Sequence, residues 1–250
     1  MRKISAVIIT FNEASNIKRC IASLKGVVDE IVVVDSFSTD ATPSICKGLG
    51  VNFHQKEWSG YSRQKNFGND LASHTWILSI DADEALSDQL RKSILKVKSE
   101  GKHYNYSFNR LTNYCGKWIR HCGWYPDTKI RMFDRCADNW QGEVHEALTV
   151  DKKSVKRLKG DLLHYSYNTV GDHVVRANKY AEIGAQELFA NGRRASFFKL
   201  IFNPCLKFNR LYFLQLGFLE GVAGLTISLI TAYSTYLKYV RLWYLHKAKE

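Results

Sequence analysis

Three carboxylates lie within four positions at the end of an apolar run, in ILSIDADE at residues 77–84. Asp81, Asp83 and Glu84 would repel one another in a buried setting unless cations neutralise them. Alternate residues of a strand point to the same side, so Asp81 and Asp83 are predicted to face one ion. Such oxygen ligands suit Mg²⁺ or Mn²⁺, which complete their shells with substrate phosphates. The alternative is a turn in which the aspartates cap a helix.

Two other polar segments also follow apolar strands. Thr10, Asn12 and Glu13 follow ISAVIIT, and Asp35 ends EIVVVD. A carboxylate at Asp35 can accept hydrogen bonds from a base N–H or from ribose hydroxyls. Its alternative role is a helix cap, although Ser38 and Asp40 suit that role better. The absence of G-x-G-x-x-G after the first strand argues against an NAD-type site.

Basic and imidazole side chains form a second group of candidates. Arg63 and Lys65, in YSRQKNFG, lie on a predicted helix upstream of the acidic strand, within reach of a pyrophosphate or of the aspartates. A solvated basic face is the alternative. His164, in LLHYSY, is either a further metal or phosphate contact or a buried, hydrogen-bonded histidine.

A candidate general base occurs in WQGEVHEAL. Glu143, His145 and Glu146 offer carboxylate or imidazole groups that can deprotonate an attacking hydroxyl. The alternative is an exposed acidic turn.

The surrounding elements explain how these residues would meet. Strands and helices alternate over the first hundred residues, and continuous apolar strands separated by helices predict a parallel sheet covered on both faces. Ligands of such sheets bind at the carboxyl ends of the strands, where the polar segments lie. Residues 101–168 are aromatic-rich and predict antiparallel strands and loops. Residues from 169 onward show a helical pattern.

Composition fits a globular protein with an uneven charge. The 250 residues are 45% apolar and carry a formal charge of +12. Residues 1–150 contain 20 Lys and Arg against 17 Asp and Glu, whereas residues 151–250 contain 16 against 7. Most of the excess positive charge therefore lies in the C-terminal part, and it indicates what that part binds rather than what the whole protein binds. The six cysteines lack metal-type spacing, and the short N-terminal apolar run predicts a buried strand rather than an export signal.

The segments ITFNEASNI, VVVDSFSTDAT, IDADE and HCGWYPD…RMF…VHE occur in this order. Together they resemble family 2 glycosyltransferases of the GT-A fold, particularly the bacterial lipopolysaccharide core β-1,4-glucosyltransferase-like group. The resemblance implies an α/β, Rossmann-like, mostly parallel sheet in a GT-A domain at residues 1–168, with donor binding in 1–100 and acceptor binding in 101–168. Residues 169–250 would form a helical, membrane-associating region.

The resemblance also implies a metal-dependent hexosyltransferase. A sugar, glucose or another hexose, would pass with inversion from a UDP-sugar to a hydroxyl of a glycan or glycolipid such as lipopolysaccharide core. Glu146 is the predicted base, with Glu143 as second choice. Mg²⁺ or Mn²⁺ would bind Asp83, with Asp81 and His164. The predicted donor-binding set is Thr10, Asn12, Glu13, Asp35, Arg63, Lys65, Asp81, Ala82 and Asp83. The predicted acceptor-binding set is Arg110, Trp124, Tyr125, Arg131, Trp140 and His145.

The apolar, basic C-terminal region predicts a membrane partner. The run GFLEGVAGLTISLITAY has 17 residues and one charge, at the lower limit for a span. Interfacial binding to anionic lipid is favoured over a buried bundle, a dimer interface or a span, which places the protein in the cytoplasm on the inner face of the cytoplasmic membrane.

Other functional classes remain as alternatives. A nucleotidyltransferase shares the sheet and the aspartates but wants a Gly-rich loop that TFNEASN lacks. A nucleic-acid-binding module fits the charge but not the long aliphatic runs among the basic residues, so no nucleic-acid partner is predicted. The intact acidic pair argues against a non-catalytic family member.

Overall fold

A computed structural model of the chain describes residues 2–101, 105–142 and 146–248. The helices are α1 (Ile17–Leu24), α2 (Thr42–Gly48), α3 (Tyr61–Leu71), α4 (Asp88–Glu100), α5 (Val170–Ala190), α6 (Phe197–Asn209) and α7 (Val222–Lys247). The strands are β1 (Ile4–Thr10), β2 (Glu30–Asp35), β3 (Asn52–Gln55), β4 (Trp76–Asp81), β5 (Glu84–Leu86), β6 (Asn105–Tyr114), β7 (Lys117–Ile119), β8 (Asp127–Asp134), β9 (Trp140–Gln141), β10 (Ala147–Leu148) and β11 (Val155–Tyr167). The predicted alternation of strands and helices over the first hundred residues is confirmed.

The main sheet has a parallel half and an antiparallel half. Its strand order is β3-β2-β1-β4-β8-β6-β11-β5, with β7 beside β6. Strands β3, β2, β1 and β4 run parallel, whereas β8 is antiparallel to both β4 and β6. In register, Thr10 lies opposite Asp35, and Ile9 lies opposite Asp81. The carboxyl ends of β1, β2 and β4 therefore meet at one edge, as the sequence predicts.

Helices cover both faces of the parallel half, and every residue of β1 is buried between them. Ile4, Ala6 and Ile8 of β1 pack in one core cluster with the buried residues of α1 and α4. Val7 and Ile9 pack in a second cluster on the other face, against α3. A fully buried strand of this kind has no polar face, so its functional groups are confined to its ends.

A glycine allows α3 to approach the sheet closely. A Cβ added to Gly68 would lie 2.5 Å from Val7 Cγ1 and 3.1 Å from Val34 Cγ2. Any larger side chain would therefore push α3 away from β1 and β2. The close approach fixes the helix that carries Arg63 and Lys65 over the ends of these strands.

The chain divides into two compact units. The first comprises Met1–Arg110 and Asp127–Tyr165, and the second comprises Leu111–Pro126 and Ser166–Glu250. This division differs from the predicted grouping of 101–168, because the excursion at Leu111–Pro126 packs with the C-terminal helices. The apolar cluster responsible consists of Tyr114, Ile119, Cys122 and Ile227, with Trp124, Tyr167 and Ala223 at its margin.

A buried carboxylate reinforces the second unit. Glu220 Oε1 accepts hydrogen bonds from the N–H groups of Arg120 (2.9 Å) and His121 (3.1 Å), and its Oε2 lies 3.0 Å from Lys117 Nζ. Burial opposes ionisation, but these donors outweigh it and hold the pKa of Glu220 at about 2. The one charge of the predicted apolar run is therefore a structural anion.

The C-terminal helices pack mainly on one another. Helix α7 contacts both α5 and α6 along its length, and Gly224 lies so close to Gly217 that a side chain would clash with its carbonyl oxygen. Ile227 and Ser228 of α7 are also buried. Within the described residues, no helix is both long enough and apolar enough to cross a membrane.

Candidate active site

The loops after β1 and β2 are joined by side-chain hydrogen bonds. Asp35 is fully buried, and its carboxylate accepts hydrogen bonds from the N–H (2.9 Å) and hydroxyl of Ser38 and from Gln55 Nε2 (3.0 Å). Asn12 donates its N–H to Ser38 Oγ (2.8 Å) and accepts the N–H of Thr39 through its side-chain oxygen (2.8 Å). Two loops predicted to converge are thus held as one rigid corner, with Asp35 as its internal anchor.

Two aromatic side chains at this corner were not predicted from the sequence. Phe11 directly follows β1 and is 56% exposed, and Phe37 lies two residues after the end of β2 and is 51% exposed. Phe37 and Asn12 both have positive φ values (59° and 54°), which are uncommon outside glycine and often accompany function. The missed signal was a large apolar residue between turn-forming residues at a strand end, where a core residue has no place.

Lys65 lies at the centre of the acidic site. Its side chain is 1% exposed, and its Nζ is 2.7 Å from Glu146 Oε1 and 3.3 Å from Asp81 Oδ1. The ammonium also sits 4.6 Å from the ring centroid of Trp140, within cation–π range. The sequence predicted either a pyrophosphate or the aspartates as the partner of Lys65. In the structure Lys65 contacts the carboxylates of Glu146 and Asp81.

Arg131 is the second buried cation of this site. Its Nη2 lies 2.6 Å from Asp81 Oδ2 and 3.3 Å from Glu84 Oε1, while Glu84 Oε2 accepts the N–H of Asp81 (2.9 Å). Arg131 was predicted to contact acceptor or phosphate, but it neutralises two carboxylates of the ILSIDADE segment instead. Glu84 is a buried member of the same cluster.

The pKa values follow from this arrangement. Burial alone would raise the pKa of Asp81, but the charges of Arg131 and Lys65 outweigh it and hold that pKa well below its ordinary value. Burial and the neighbouring charge of Asp81 raise the pKa of Glu84, although Arg131 opposes the shift. Burial disfavours the charge of Arg131, but Asp81 and Glu84 raise its pKa further above the ordinary range. Asp81 is therefore a firmly ionised carboxylate.

Asp83 faces a different partner from Asp81. Strand β4 ends at Asp81, and residues 82 and 83 form a turn, so the alternation of a strand does not extend to Asp83. Asp83 Oδ2 lies 3.2 Å from His164 Nε2, and the Asp83 carbonyl accepts the N–H of Tyr165 (2.8 Å). The prediction that both aspartates point to one ion is not met, whereas Asp83 and His164 are together.

A divalent metal at this site would need oxygen or nitrogen ligands that are not already paired with cations. Throughout the described parts of the chain, no three His, Cys, Asp or Glu side chains are grouped to hold an ion. Asp81 has cations beside both of its oxygens, which disfavours a further positive charge there. Mg²⁺ is commonly bound through one or two carboxylates while substrate phosphates supply other ligands. Asp83, with His164 beside it, is therefore the candidate position for the metal.

The predicted base loop is described only in part. Glu146 is held by Lys65, and Ser62 of α3 donates its hydroxyl to the carbonyl of Gly142 (2.6 Å). Glu143 and His145 lie outside the described residues. Of the two predicted bases, the structure therefore places Glu146 in contact with the cluster that contains Asp81.

The remaining predicted site residues are buried at or just after strand ends, exposed on α3, or paired with other polar residues. Thr10 and Ala82 are buried at strand ends, Glu13 accepts the side-chain amide of Asn16 (2.8 Å), and Arg63 is exposed on α3. Arg110 pairs with Asp127 (2.8 Å) and lies 3.6 Å from Glu84. These contacts organise the site without showing a ligand.

Three aromatic residues of the predicted acceptor-binding set have partners within the protein. Trp140 is 6% exposed and exchanges backbone hydrogen bonds with the Asn66 side chain, so its ring covers the cations and cannot present a face to a sugar. Trp124 belongs to the second unit, where it stacks on Tyr167 at a centroid distance of 5.3 Å. Tyr125 also belongs to that unit, beside Arg120.

Residues 5–158 match the profile of the family described as "Glycosyl transferase family 2". The chain belongs to this family. Membership makes it a glycosyltransferase and decides against a nucleotidyltransferase or a simple binding module. The fold is accordingly a GT-A-like α/β fold, as the motifs predict.

Relatives of this family 2 glycosyltransferase extend over nearly the whole chain. An uncharacterised glycosyltransferase of Rickettsia felis is 33% identical over 97% of this chain and 90% of its own length. The lipopolysaccharide core biosynthesis glycosyltransferase LpsC of Rhizobium meliloti is 29% identical over 94% of this chain and 93% of its own. Residues 1–349 of TarS from S. aureus, solved with UDP-GlcNAc, align over 99% of this chain and 92% of theirs with a TM-score of 0.48 and 14% identity.

Proposed function

We propose that this chain transfers a hexose from a UDP-sugar to a hydroxyl of a glycan or glycolipid, with inversion at the anomeric carbon. The observation that carries the proposal is the shared contact of Lys65, whose Nζ lies 2.7 Å from Glu146 and 3.3 Å from Asp81. A carboxylate able to accept a proton therefore lies beside the strand-end acid of the donor site. A single displacement needs one protein base, and Glu146 is in place to serve.

The corner after β1 and β2 would hold the nucleoside. Asp35 and Asn12 fix the two loops, and the exposed rings of Phe11 and Phe37 offer aromatic faces for a planar base. The same edge carries Asp81 and Asp83, so a nucleoside at the corner would direct its diphosphate toward the acidic cluster. This order follows the strand order β2-β1-β4.

Asp83 and His164 would hold the divalent ion. When bound, Mg²⁺ or Mn²⁺ supplies positive charge that stabilises the diphosphate as it leaves. Asp81 plays another part in this proposal. The Asp81 carboxylate keeps Lys65 and Arg131 in position. Lys65 in turn orients Glu146, and Arg131 neutralises the buried Glu84.

The transfer step follows from these positions. Glu146 accepts the proton of the acceptor hydroxyl as its oxygen forms a bond to the anomeric carbon. The bond between that carbon and the phosphate oxygen breaks, and its electron pair leaves with UDP. Attack on the face opposite the diphosphate inverts the configuration. Lys65 holds the Glu146 carboxylate at a fixed place, which reduces the orientational cost of the reaction.

The acceptor is proposed to be lipopolysaccharide core. LpsC, which resembles this chain over 93% of its length, is named for lipopolysaccharide core biosynthesis. Such an acceptor is a glycolipid, and the protein would meet it in the cytoplasm on the inner face of the membrane. Arg110, Trp124 and Tyr125 remain proposed acceptor contacts.

Glu146→Gln tests the proposal directly. A general base contributes about 10²- to 10⁴-fold to rate, so we expect at least a hundredfold loss of transfer to a lipopolysaccharide core acceptor. The variant should still bind UDP-glucose, as measured by the thermal shift in the presence of Mn²⁺. Glu182→Gln, an exposed change on α5, is the matched control and should leave both unchanged. Full activity of Glu146→Gln together with inactivity of Glu143→Gln would assign the base to Glu143.

A further inference from the structure

Helix α6 exposes its apolar side chains to the surroundings. Phe198, Phe202 and Leu206 are spaced four residues apart, so they form one row along the helix, and they are 71%, 55% and 64% exposed. Phe197 and Ile201 begin a parallel row beside it and are also exposed. A surface helix normally turns such rows toward the protein core. Helix α6 instead leaves these apolar rows exposed.

The apolar surface continues beyond the helix. A π-helical turn at Arg210–Leu214 and a 3-10 turn at Gly217–Glu220 connect α6 to α7. Along this connection Leu214 is 80% exposed and Val222, the first residue of α7, is 82% exposed. We call the exposed apolar residues of 197–206 and 213–222 the α6 surface. Contiguous exposed apolar surface of this kind marks an interaction site in soluble proteins.

The charge around the α6 surface has one sign. Between Glu187 and Glu220 the sequence contains no Asp or Glu, and the basic residues there are Arg193, Arg194, Lys199, Lys207 and Arg210. On a helical projection, Lys199 and Arg210 follow the row of Phe198, Phe202 and Leu206 at its edge, and both are exposed. An apolar face with basic margins is complementary to a bilayer that combines acyl chains with anionic head groups.

We propose that the α6 surface docks on an anionic lipid bilayer, with α6 lying in the plane of the interface. The 13 residues of α6 span about 20 Å, short of the roughly 30 Å hydrocarbon core, so the helix can lie on a membrane but not cross it. A second copy of the chain is a poorer partner. A two-fold interface would bring the same basic margins face to face without an acidic residue of this segment between them.

This assignment narrows the membrane contact that the sequence predicted for residues 169–250. The 17-residue run at 217–233 lies largely in α7, whose Gly224, Ile227 and Ser228 are buried against neighbouring elements. Apolar residues in α7 are thus partly used for folding, whereas those of α6 remain on the surface. The α6 surface lies wholly in the second unit, so the proposal is independent of the donor site.

Sedimentation with vesicles tests the proposal without donor or acceptor. The full chain is mixed with vesicles of phosphatidylcholine alone or with 30% phosphatidylglycerol, and Phe198→Ser/Phe202→Ser is compared with Val175→Ser/Tyr180→Ser. The control pair changes two exposed apolar residues of α5, a helix that also carries Asp172, Glu182 and Glu187. We expect the α6 pair to weaken binding to anionic vesicles at least about tenfold and the control pair to change it less than about twofold.

Charge variants and light scattering complete the test. Lys199→Ser/Arg210→Ser should weaken binding to anionic vesicles by about fivefold for each charge removed, with little effect on neutral vesicles. Near-ultraviolet circular dichroism confirms that each variant remains folded. Equal binding by the α6 and control pairs, or equal binding to the two lipid mixtures, would overturn the proposal. So would an α6 pair that converts a dimer to a monomer in light scattering while leaving vesicle binding intact.

Discussion

Replacing Lys65 with methionine removes one ammonium group from between Glu146 and Asp81 while keeping an apolar side chain of similar length beside Trp140. The contact to Glu146 (2.7 Å) is a full charge-assisted hydrogen bond, and that to Asp81 (3.3 Å) is weaker. A hydrogen bond to a charged group contributes about 1.5–3 kcal/mol. We take about 2 kcal/mol because the Glu146 side chain is 23% exposed.

The effect on catalysis follows from this value. If Lys65 orients Glu146 in the transition state, a loss of about 2 kcal/mol lowers kcat/KM about thirtyfold. Stability should fall by about 1–3 kcal/mol, below the 3–5 kcal/mol of a fully buried pair, because both carboxylates retain some contact with solvent. Steady-state release of UDP in the presence of acceptor measures the first quantity, and urea unfolding measures the second. Lys92→Met, on the exposed face of α4, is the control for loss of one positive charge.

A double-mutant cycle distinguishes positioning of the base from general damage. If Lys65 acts through Glu146, then Lys65→Met should lower kcat/KM in the Glu146→Gln background by no more than about threefold. Groups that act as one unit are strongly non-additive in this way. A full thirtyfold loss in both backgrounds would refute the reasoning, because Lys65 would then serve catalysis by a route that does not involve Glu146.

Four further variants examine other parts of the structure. Asp83→Asn should abolish the extra thermal stabilisation that Mn²⁺ gives in the presence of UDP, whereas Asp81→Asn should lower the stability of the free protein; a metal response retained by Asp83→Asn would contradict the assignment. Glu220→Gln should lower the free energy of unfolding by about 2–3 kcal/mol at pH 7, because the folded pKa of about 2 lies below the ordinary 4.5. The stabilisation by Glu220 is present above pH 4.5 and is lost as pH falls toward 2. The variant should therefore show a flatter dependence of stability on pH in that window, and an unchanged slope would count against this role of Glu220. Gly68→Ala should destabilise the protein by about 1–3 kcal/mol through its clash with Val7, measured by urea unfolding against Gly48→Ala, whose added Cβ meets nothing within 4 Å.

The sequence predicted the framework of the site because that framework depends on local pattern. Largely apolar segments predicted β1, β2 and β4, which are six or seven residues long, and the rule that parallel strands end at a common edge brought Asp35 and Asp81 together. Local pattern could not predict which cations would neutralise the acids. Lys65 meets a carboxylate 81 positions away and Arg131 meets one 50 positions away.

Two sequence inferences failed for a shared reason. The alternation rule assigned Asp83 to the side of Asp81, but β4 ends at Asp81, two residues before Asp83, so the rule does not apply. Trp140 was predicted to contact the acceptor, but in the structure its ring lies beside Lys65 and Arg131. In both cases the residue type was informative, and the contact depended on where the chain turned.

The charge balance of the cluster gives Asp81 and Asp83, the Asp-x-Asp pair, different electrostatic surroundings. Within the described residues, Asp81, Glu84 and Glu146 face the cations Lys65 and Arg131, with Arg110 3.6 Å from Glu84. Near-balance of this kind lets the three acids stay close together without a metal ion, since each carboxylate already has a cation beside it. Asp83 stands apart, beside a histidine that can also bind a metal. A divalent ion arriving with a diphosphate would therefore meet least opposition at Asp83, while Lys65, beside Asp81, holds Glu146, the proposed base.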